Sequence, residues 1–253
     1  MSIPRDVKEF LENYPDVDDE ADLCDNIRFY QNTLRCRPDR KLVEEIHEEW
    51  FGNFDKLEYK HGFIQWLFPI REYGMNYQSQ PLQLHEIHAI KADPDAIRRV
   101  VDSYRLMLDF YGMRLISSET GLVDRVIPPR NHVGRYRNLV RSSHNYLRIS
   151  RILKCLSELG LERLNYGFLL HVLNEQSEHD ELNTQGIRGS MDRWWANCIR
   201  DDEQRDTIGK LIRKVRNPDN DYVFTREEYQ AKLGASQETD VEESQGGVSE
   251  ATD

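Results

Sequence analysis

Apolar residues recur along this chain at three- and four-residue intervals, block after block, with charged residues between them. In residues 39–51, Leu42, Val43, Ile46 and Trp50 share one helical face, preceded by Pro38 and Asp39 and followed by Gly52. Asp55–Phe68 reads as the next helix, and Leu84, Ile87 and Ile90 mark a short one. Asp93 and Pro94 open a clearer element whose stripe is Ile97, Val100, Val101, Tyr104, Leu108 and Tyr111, closed by Gly112. Residues 113–133, with Gly121 and Pro128-Pro129, read as a loop in which alternation is too weak to define strands. The helical period returns over Arg135–Arg141, over Ser143–Leu159 before Gly160, and over Arg163–Gln176. Ser190 is expected to cap Met191–Ile199, and Asp201 to open a long helix carrying Ile208, Leu211, Ile212 and Val215. The pattern predicts an all-α fold: one multi-helix domain of about eight to ten helices with short irregular connections.

Around that domain, expected over residues 22–220, the composition changes. Residues 1–21 form an acidic arm, residues 221–233 a short terminal helix with a capping box at Thr225-Arg226-Glu227-Glu228, and residues 234–253 a tail. The tail has six acids, no base and almost no large apolar group, so it is expected to be disordered. The longest apolar stretch is Phe63-Ile64-Gln65-Trp66-Leu67-Phe68-Pro69, too brief to span a bilayer, and Pro69 stops it as a helix. Met1–Phe10 carries charges where a signal peptide would be apolar, which argues against direct secretion.

The formal net charge of −11 argues against a general nucleic-acid binder, but the charge is unevenly placed. Asp6–Asp25 holds nine acids and one base, whereas Arg125–Lys154 holds eight bases and no acid. Arg141, His144, Arg148 and Arg151 step by three, four and three, so they share one helical face, and Arg135 and Arg137 lie just upstream. Such guanidinium groups suit phosphate or carboxylate ligands. Three readings stay open: neutralisation by the chain's own acidic arm, an external acidic or phosphorylated peptide or protein, and nucleic acid. Trp66, Trp194 and Trp195 are the candidates for an aromatic groove beside this face, although most aromatic side chains fill cores.

Catalytic signals are weak. His85 and His88 are spaced i, i+3 rather than as a helical zinc pair, and no phosphate loop or nucleophile elbow occurs. Ser142-Ser143-His144 reads as a helix cap, and His61 as a helix-end histidine. Cys24, Cys36, Cys155 and Cys198 are scattered without a C-x-x-C pair, so reduced thiols are expected, and no metal or cofactor is.

The order of several blocks resembles one family. Leu57–Asn76, LEYKHGFIQWLFPIREYGMN, is the most specific; Asn26-Ile27-Arg28-Phe29-Tyr30 with Asn32, Tyr104–Gly112 and Ser143–Lys154 with Leu156–Gly160 extend it over roughly residues 24–216. Together they resemble the amino-terminal domain of the opioid growth factor receptor family. The resemblance implies a non-enzymatic, receptor-like regulatory protein associated with growth regulation and an enkephalin-like peptide. It also implies a nuclear and cytoplasmic location, with peripheral association at the nuclear envelope. The founding receptor carries a long repeat-bearing C-terminal extension, in whose place this sequence has the short acidic tail. The leading expectation is therefore a receptor-like protein that binds a short peptide or acidic partner. The alternative is a phosphate or nucleic-acid binding module built on Arg125–Lys154.

Overall fold

Local side-chain caps set helix starts at Asn53, Asp93, Asn131, Thr184 and Asp201. In the computed structural model, which describes residues 3–234, α1 (Arg5–Leu11), α2 (Asp25–Tyr30) and α3 (Val43–Trp50) lead the chain. They are followed by α4 (Phe54–Tyr59), α5 (Phe63–Leu67) and α6 (Leu84–Ala92). The long α7 (Pro94–Tyr111) starts with the Asp93 side chain accepting from the amides of Asp95 and Ala96 and ends at Gly112 in the left-handed region. A two-stranded antiparallel sheet comes next, β1 (Met113–Leu115) on β2 (Val123–Arg125), with Arg114 opposite Asp124. Then come α8 (His132–Arg141), α9 (His144–Glu158), α10 (Glu162–Glu178), α11 (Gln185–Arg193), a 3-10 turn (Trp195–Asn197) and α12 (Asp202–Arg216). Residues 226–234 form α13. The tail beyond residue 234, expected to be disordered, lies outside the described residues.

The fold class is all-α, but the helices outnumber eight to ten. The surplus comes from pieces of one or two turns, such as α1, α2, α4 and α5, whose few residues show too little periodicity to be read separately. Asp55–Phe68 is two helices, not one, because the chain bends through Lys60–Gly62. The element expected at Met191–Ile199 instead begins at Gln185, capped by Thr184, and breaks at Trp194 into the 3-10 turn. The 113–133 loop holds the short strand pair.

Two helices organise the core. α7 packs against α2, α3, α6, α8 and β1; α10 packs against α9, α12 and β2. Every residue of α10 from Leu164 to Gln176 is buried, so its polar side chains need internal partners. Asn165 donates to Leu153 O and Cys198 O, Asn174 to Phe224 O, and Glu175 takes a bidentate bond from Arg125 at 2.8 and 2.6 Å. Glu86, fully buried at the start of α6, accepts from the Asn26, Ile27 and Gln83 amides and the Asn26 and Gln80 side chains, tying α2 to α6. The four cysteines are unpaired; Cys36, Cys155 and Cys198 are buried. Among the described residues no helix is long and apolar enough to cross a membrane.

Candidate functional site

All five residues of α5 are buried, and a helix this short leaves most of its carbonyls and those of neighbouring turns without helical partners. Side chains from elsewhere satisfy them. Arg148 on α9 donates to Leu57 O at 3.0 Å, Lys60 O at 2.8 Å and Glu58 O at 3.3 Å, and also to His61 Nδ1 at 2.9 Å. One turn on, Arg151 Nε donates to Phe68 O at 2.8 Å, and the Tyr30 hydroxyl donates to Leu67 O. Trp66 Nε1 and Asn76 Nδ2 both donate to Arg37 O, at 2.9 and 2.8 Å, and Asn76 also reaches Gly62 O at 3.0 Å. The apolar run is thus fastened from behind by α9 and at its rim by two loops, residues 35–40 and 73–78.

This geometry corrects the expected arginine face. Arg135, Arg137, Arg141, His144, Arg148 and Arg151 do not form one stripe toward solvent. Arg148 is 5% exposed and lies over the Phe63 ring, and burial pushes its guanidinium below the ordinary value. Burial likewise lowers Arg151, to about 10, which leaves it charged near neutrality. Arg135 donates to Phe110 O at 2.7 Å and stacks between Phe54 and Phe110. His144 pairs with Glu58 at 2.7 Å, and its ring meets His61 edge-on at 5.7 Å. Arg137 and Arg141 stand exposed on α8, with neither an ion pair nor a side-chain hydrogen bond among the described residues.

The remaining bases of Arg125–Lys154 are paired with carboxylates. Arg125 serves Glu175, Arg130 pairs with Asp109 at 3.0 Å, and Lys154 binds Glu72 at 2.6 Å and Asp6 at 3.1 Å. Burial works against the Lys154 charge, but Glu72 and Asp6 more than offset it and its affinity for a proton is raised. Part of the acidic arm therefore neutralises the basic segment; Arg71 holds the same arm through Val17 O at 2.9 Å.

The tryptophans form no common groove. Trp66 and Trp195 are 1% exposed, with Trp195 Nε1 donating to Tyr146 O at 3.1 Å, while Trp194 is half-buried under the Arg193 guanidinium. They hold helices together because an indole buries more area than it exposes and its N–H finds a carbonyl.

The most exposed large apolar residues lie on the segments around α5. Met75 is 95% exposed, Tyr77 90%, Tyr59 81%, Tyr73 80% and Leu147 74%, whereas no other large hydrophobic among the described residues exceeds 57%. All five sit on segments pinned to one another. Tyr59 ends the helix that Arg148 caps, Leu147 precedes Arg148, and Met75 and Tyr77 flank Asn76. Gly74, between Tyr73 and Met75, lies so close to Gln65 that a Cβ there would stand 2.6 Å from its Cγ. Next to this loop, Thr33–Pro38, Arg40 and Gln78 line a cleft of about 590 Å³. Sequence reasoning missed both features. The available signals were large apolar residues at alternate positions in a turn past the proline stop, and three arginines within six residues.

The comparisons with known proteins agree with the folded extent. The model of the family described as the opioid growth factor receptor conserved region matches residues 19–230. The rat opioid growth factor receptor is 42% identical over 223 residues, covering 87% of this chain and 37% of that protein. The rat opioid growth factor receptor-like protein 1 is 36% identical over 223 residues, 87% of this chain and 46% of its own length. The human opioid growth factor receptor is 40% identical over 203 residues, 79% and 29% respectively. This chain thus spans less than half the length of these curated relatives, and no solved structure matches it. With the family model matched over most of its length, the chain belongs to the opioid growth factor receptor family.

Proposed function

We propose that this protein is a non-enzymatic, receptor-like regulatory protein that binds a short peptide or an acidic partner on the face around α5. The observation that carries this reading is the collection of the five most exposed large apolar residues, Tyr59, Tyr73, Met75, Tyr77 and Leu147, on segments locked together around one buried helix. Scattered exposed apolar residues need no explanation, but a gathered set on a rigid frame marks an interaction surface. Arg37 and Arg40, on the loop tied to Asn76, add unpaired positive charge beside Met75 and Tyr77 in an acidic chain. Relatives named as receptors support a ligand; an enkephalin-like peptide, growth regulation and a nuclear or nuclear-envelope location are part of the proposal.

The test is a thermal-shift screen of the chain against short peptides, including an enkephalin-like pentapeptide and acidic sequences, followed by calorimetry of hits. A hit is expected to lose binding in the double variant Met75→Ser, Tyr77→Ser. Undiminished binding in that variant would move the site elsewhere. For the phosphate or nucleic-acid alternative on Arg125–Lys154, only Arg137 and Arg141 remain outward without a partner, too few to track a phosphate backbone.

A further inference from the structure

The cleft beside the exposed loop has a sign. Its lining is Thr33, Leu34, Arg35, Cys36, Arg37, Pro38, Arg40 and Gln78, without a carboxylate, in a chain that carries 45 acids and 34 bases. The nearby acids are engaged. Glu45 is held bidentately by Arg35 at 2.6 and 2.8 Å. Asp39, its side chain 5% exposed and absent from the cleft lining, pairs through Oδ1 with Lys60 at 2.8 Å, while its Oδ2 is buried without a hydrogen-bond partner. Arg37 and Arg40 are exposed and have no carboxylate partner among the described residues.

The loop that carries them is fixed rather than loose. Cys36 N donates to Lys41 O and Arg40 N to Cys36 O, both at 2.8 Å, and Arg35 also donates to Arg40 O at 3.0 Å. The Arg37 carbonyl is anchored inward by Trp66 and Asn76. Two guanidinium groups are therefore presented from a preorganised backbone into a concave site, which lowers the ordering cost of binding.

We propose that this cleft is a phosphomonoester subsite, taking a phosphorylated serine or threonine of an extended peptide, with Arg37 and Arg40 on the phosphate. The inference rests on the peptide-binding reading above. A phosphomonoester carries about −1.5 to −2 charge at pH 7 and three acceptor oxygens, which matches two free guanidinium groups better than a single carboxylate does. A peptide fits better than a nucleic acid for two reasons. From Gln78 in the cleft the chain runs back through Tyr77, Met75 and Tyr73, an apolar ladder at alternate positions for the side chains beside the phosphate. A polyphosphate strand would also meet the acidic segment that Gln80 and Gln83 hold nearby through the Asp25 and Glu20 amides.

The experiment is fluorescence anisotropy of the full chain with two labelled degenerate peptide pools, one with a central phosphoserine or phosphothreonine and one with serine or threonine. A labelled single-stranded RNA and unlabelled inorganic phosphate are run alongside. The phosphorylated pool is expected to bind at least about tenfold more tightly, with phosphate competing. That gain is expected to vanish in Arg37→Glu, Arg40→Glu and to persist in Arg188→Glu, an exposed arginine on α11. Equal binding of the two pools, or a gain that survives in the double variant, overturns the subsite and leaves the peptide-binding reading standing. RNA binding tighter than the phosphorylated pool and lost in the same variant overturns it in favour of nucleic acid. Binding of neither pool overturns both.

Discussion

Arg148 donates to the carbonyl of Lys60 at 2.8 Å across 88 residues of sequence, and also to the carbonyls of Leu57 and Glu58 in α4 and to His61 Nδ1 ahead of α5. The relationship assigns the most buried arginine of the basic helix to holding the apolar run, not to holding a ligand. Truncating it strands the buried Leu57 carbonyl and removes bonds to the part-buried carbonyls of Glu58 and Lys60, a loss of about 3 kcal/mol. In urea unfolding, Arg148→Met is expected to lower stability by about that amount and Arg148→Lys by less, because the ammonium reaches fewer carbonyls. Arg137→Met is expected to stay within about 0.5 kcal/mol of the parent. Equal midpoints for Arg148→Met and Arg137→Met would return Arg148 to the candidate ligand groups.

A second prediction concerns two glycines. Gly121, at φ +77°, lies against the backbone of α10 so closely that a Cβ on Gly167 would stand 1.7 Å from Gly121 O. No rotamer relieves a clash between Cβ and backbone, so the 117–122 turn must lift off α10. Tyr229, whose hydroxyl accepts from Val123 N at 2.8 Å and donates to Gly167 O at 3.3 Å, would lose that geometry as well. Gly167→Ala is expected to cost about 3 kcal/mol in a denaturant melt, several times the helix-propensity gain of about 1 kcal/mol that alanine brings. A stabilised Gly167→Ala protein would show that the turn yields.

The contrast between these two cases shows what the sequence could reveal. Helix ends set by local chemistry, such as Asp93-Pro94 and Gly112 around α7, were legible because the cap and the left-handed residue act within one turn. The break at Lys60–Gly62 was not, because the groups it leaves open are met by one side chain, Arg148, 87 to 90 residues away. The same distance hid the direction of Arg148. Its charge suggested solvent, yet it shares a helical arc with buried Asn145 and Ile152, one turn before and after it. That placement was the available clue, and it becomes decisive only once open carbonyls are known to face it. The apolar loop residues were legible as residues but not as a surface, because exposure depends on where the chain goes after Pro69.

Acid should weaken the fold through two histidines. His47 Nε2 meets Ser103 Oγ at 2.8 Å, and burial pushes its imidazole down to about 4, with Asp102 and Glu44 pulling the other way. His171, fully buried on α10, is also pushed down to about 4 by burial, opposed by Glu175. An unfolded histidine takes its proton near pH 6.5, so between about 6.5 and 4 the unfolded chain binds more protons than the folded one. The stabilisation is therefore complete above that window and is lost as pH falls through it, by up to about 3 kcal/mol for each group. Urea midpoints at pH 7 and pH 5 should show the loss, and His47→Gln should show a shallower pH dependence. Parallel pH profiles for the two proteins would remove His47 from the account.

The last prediction uses sulfur to probe the exposed face without a mutation. Among the described residues Met75 is 95% exposed, whereas Met107, Met113 and Met191 are fully buried. Peroxide attacks accessible thioethers first, so brief treatment should convert Met75 to the sulfoxide while these three buried methionines stay reduced, as peptide mapping can read out. The sulfoxide is polar, and because Met75 has lost almost no surface on folding, its oxidation should leave stability within about 0.5 kcal/mol of the parent. Binding should respond differently. If the ladder of Tyr73, Met75 and Tyr77 is a docking surface, a peptide that stabilises the protein should slow oxidation at Met75, and the oxidised protein should bind that peptide more weakly. Protection and weakening rest on the same contact, so one without the other contradicts the assignment. Oxidation at Met75 with both effects absent would place the peptide site away from this loop.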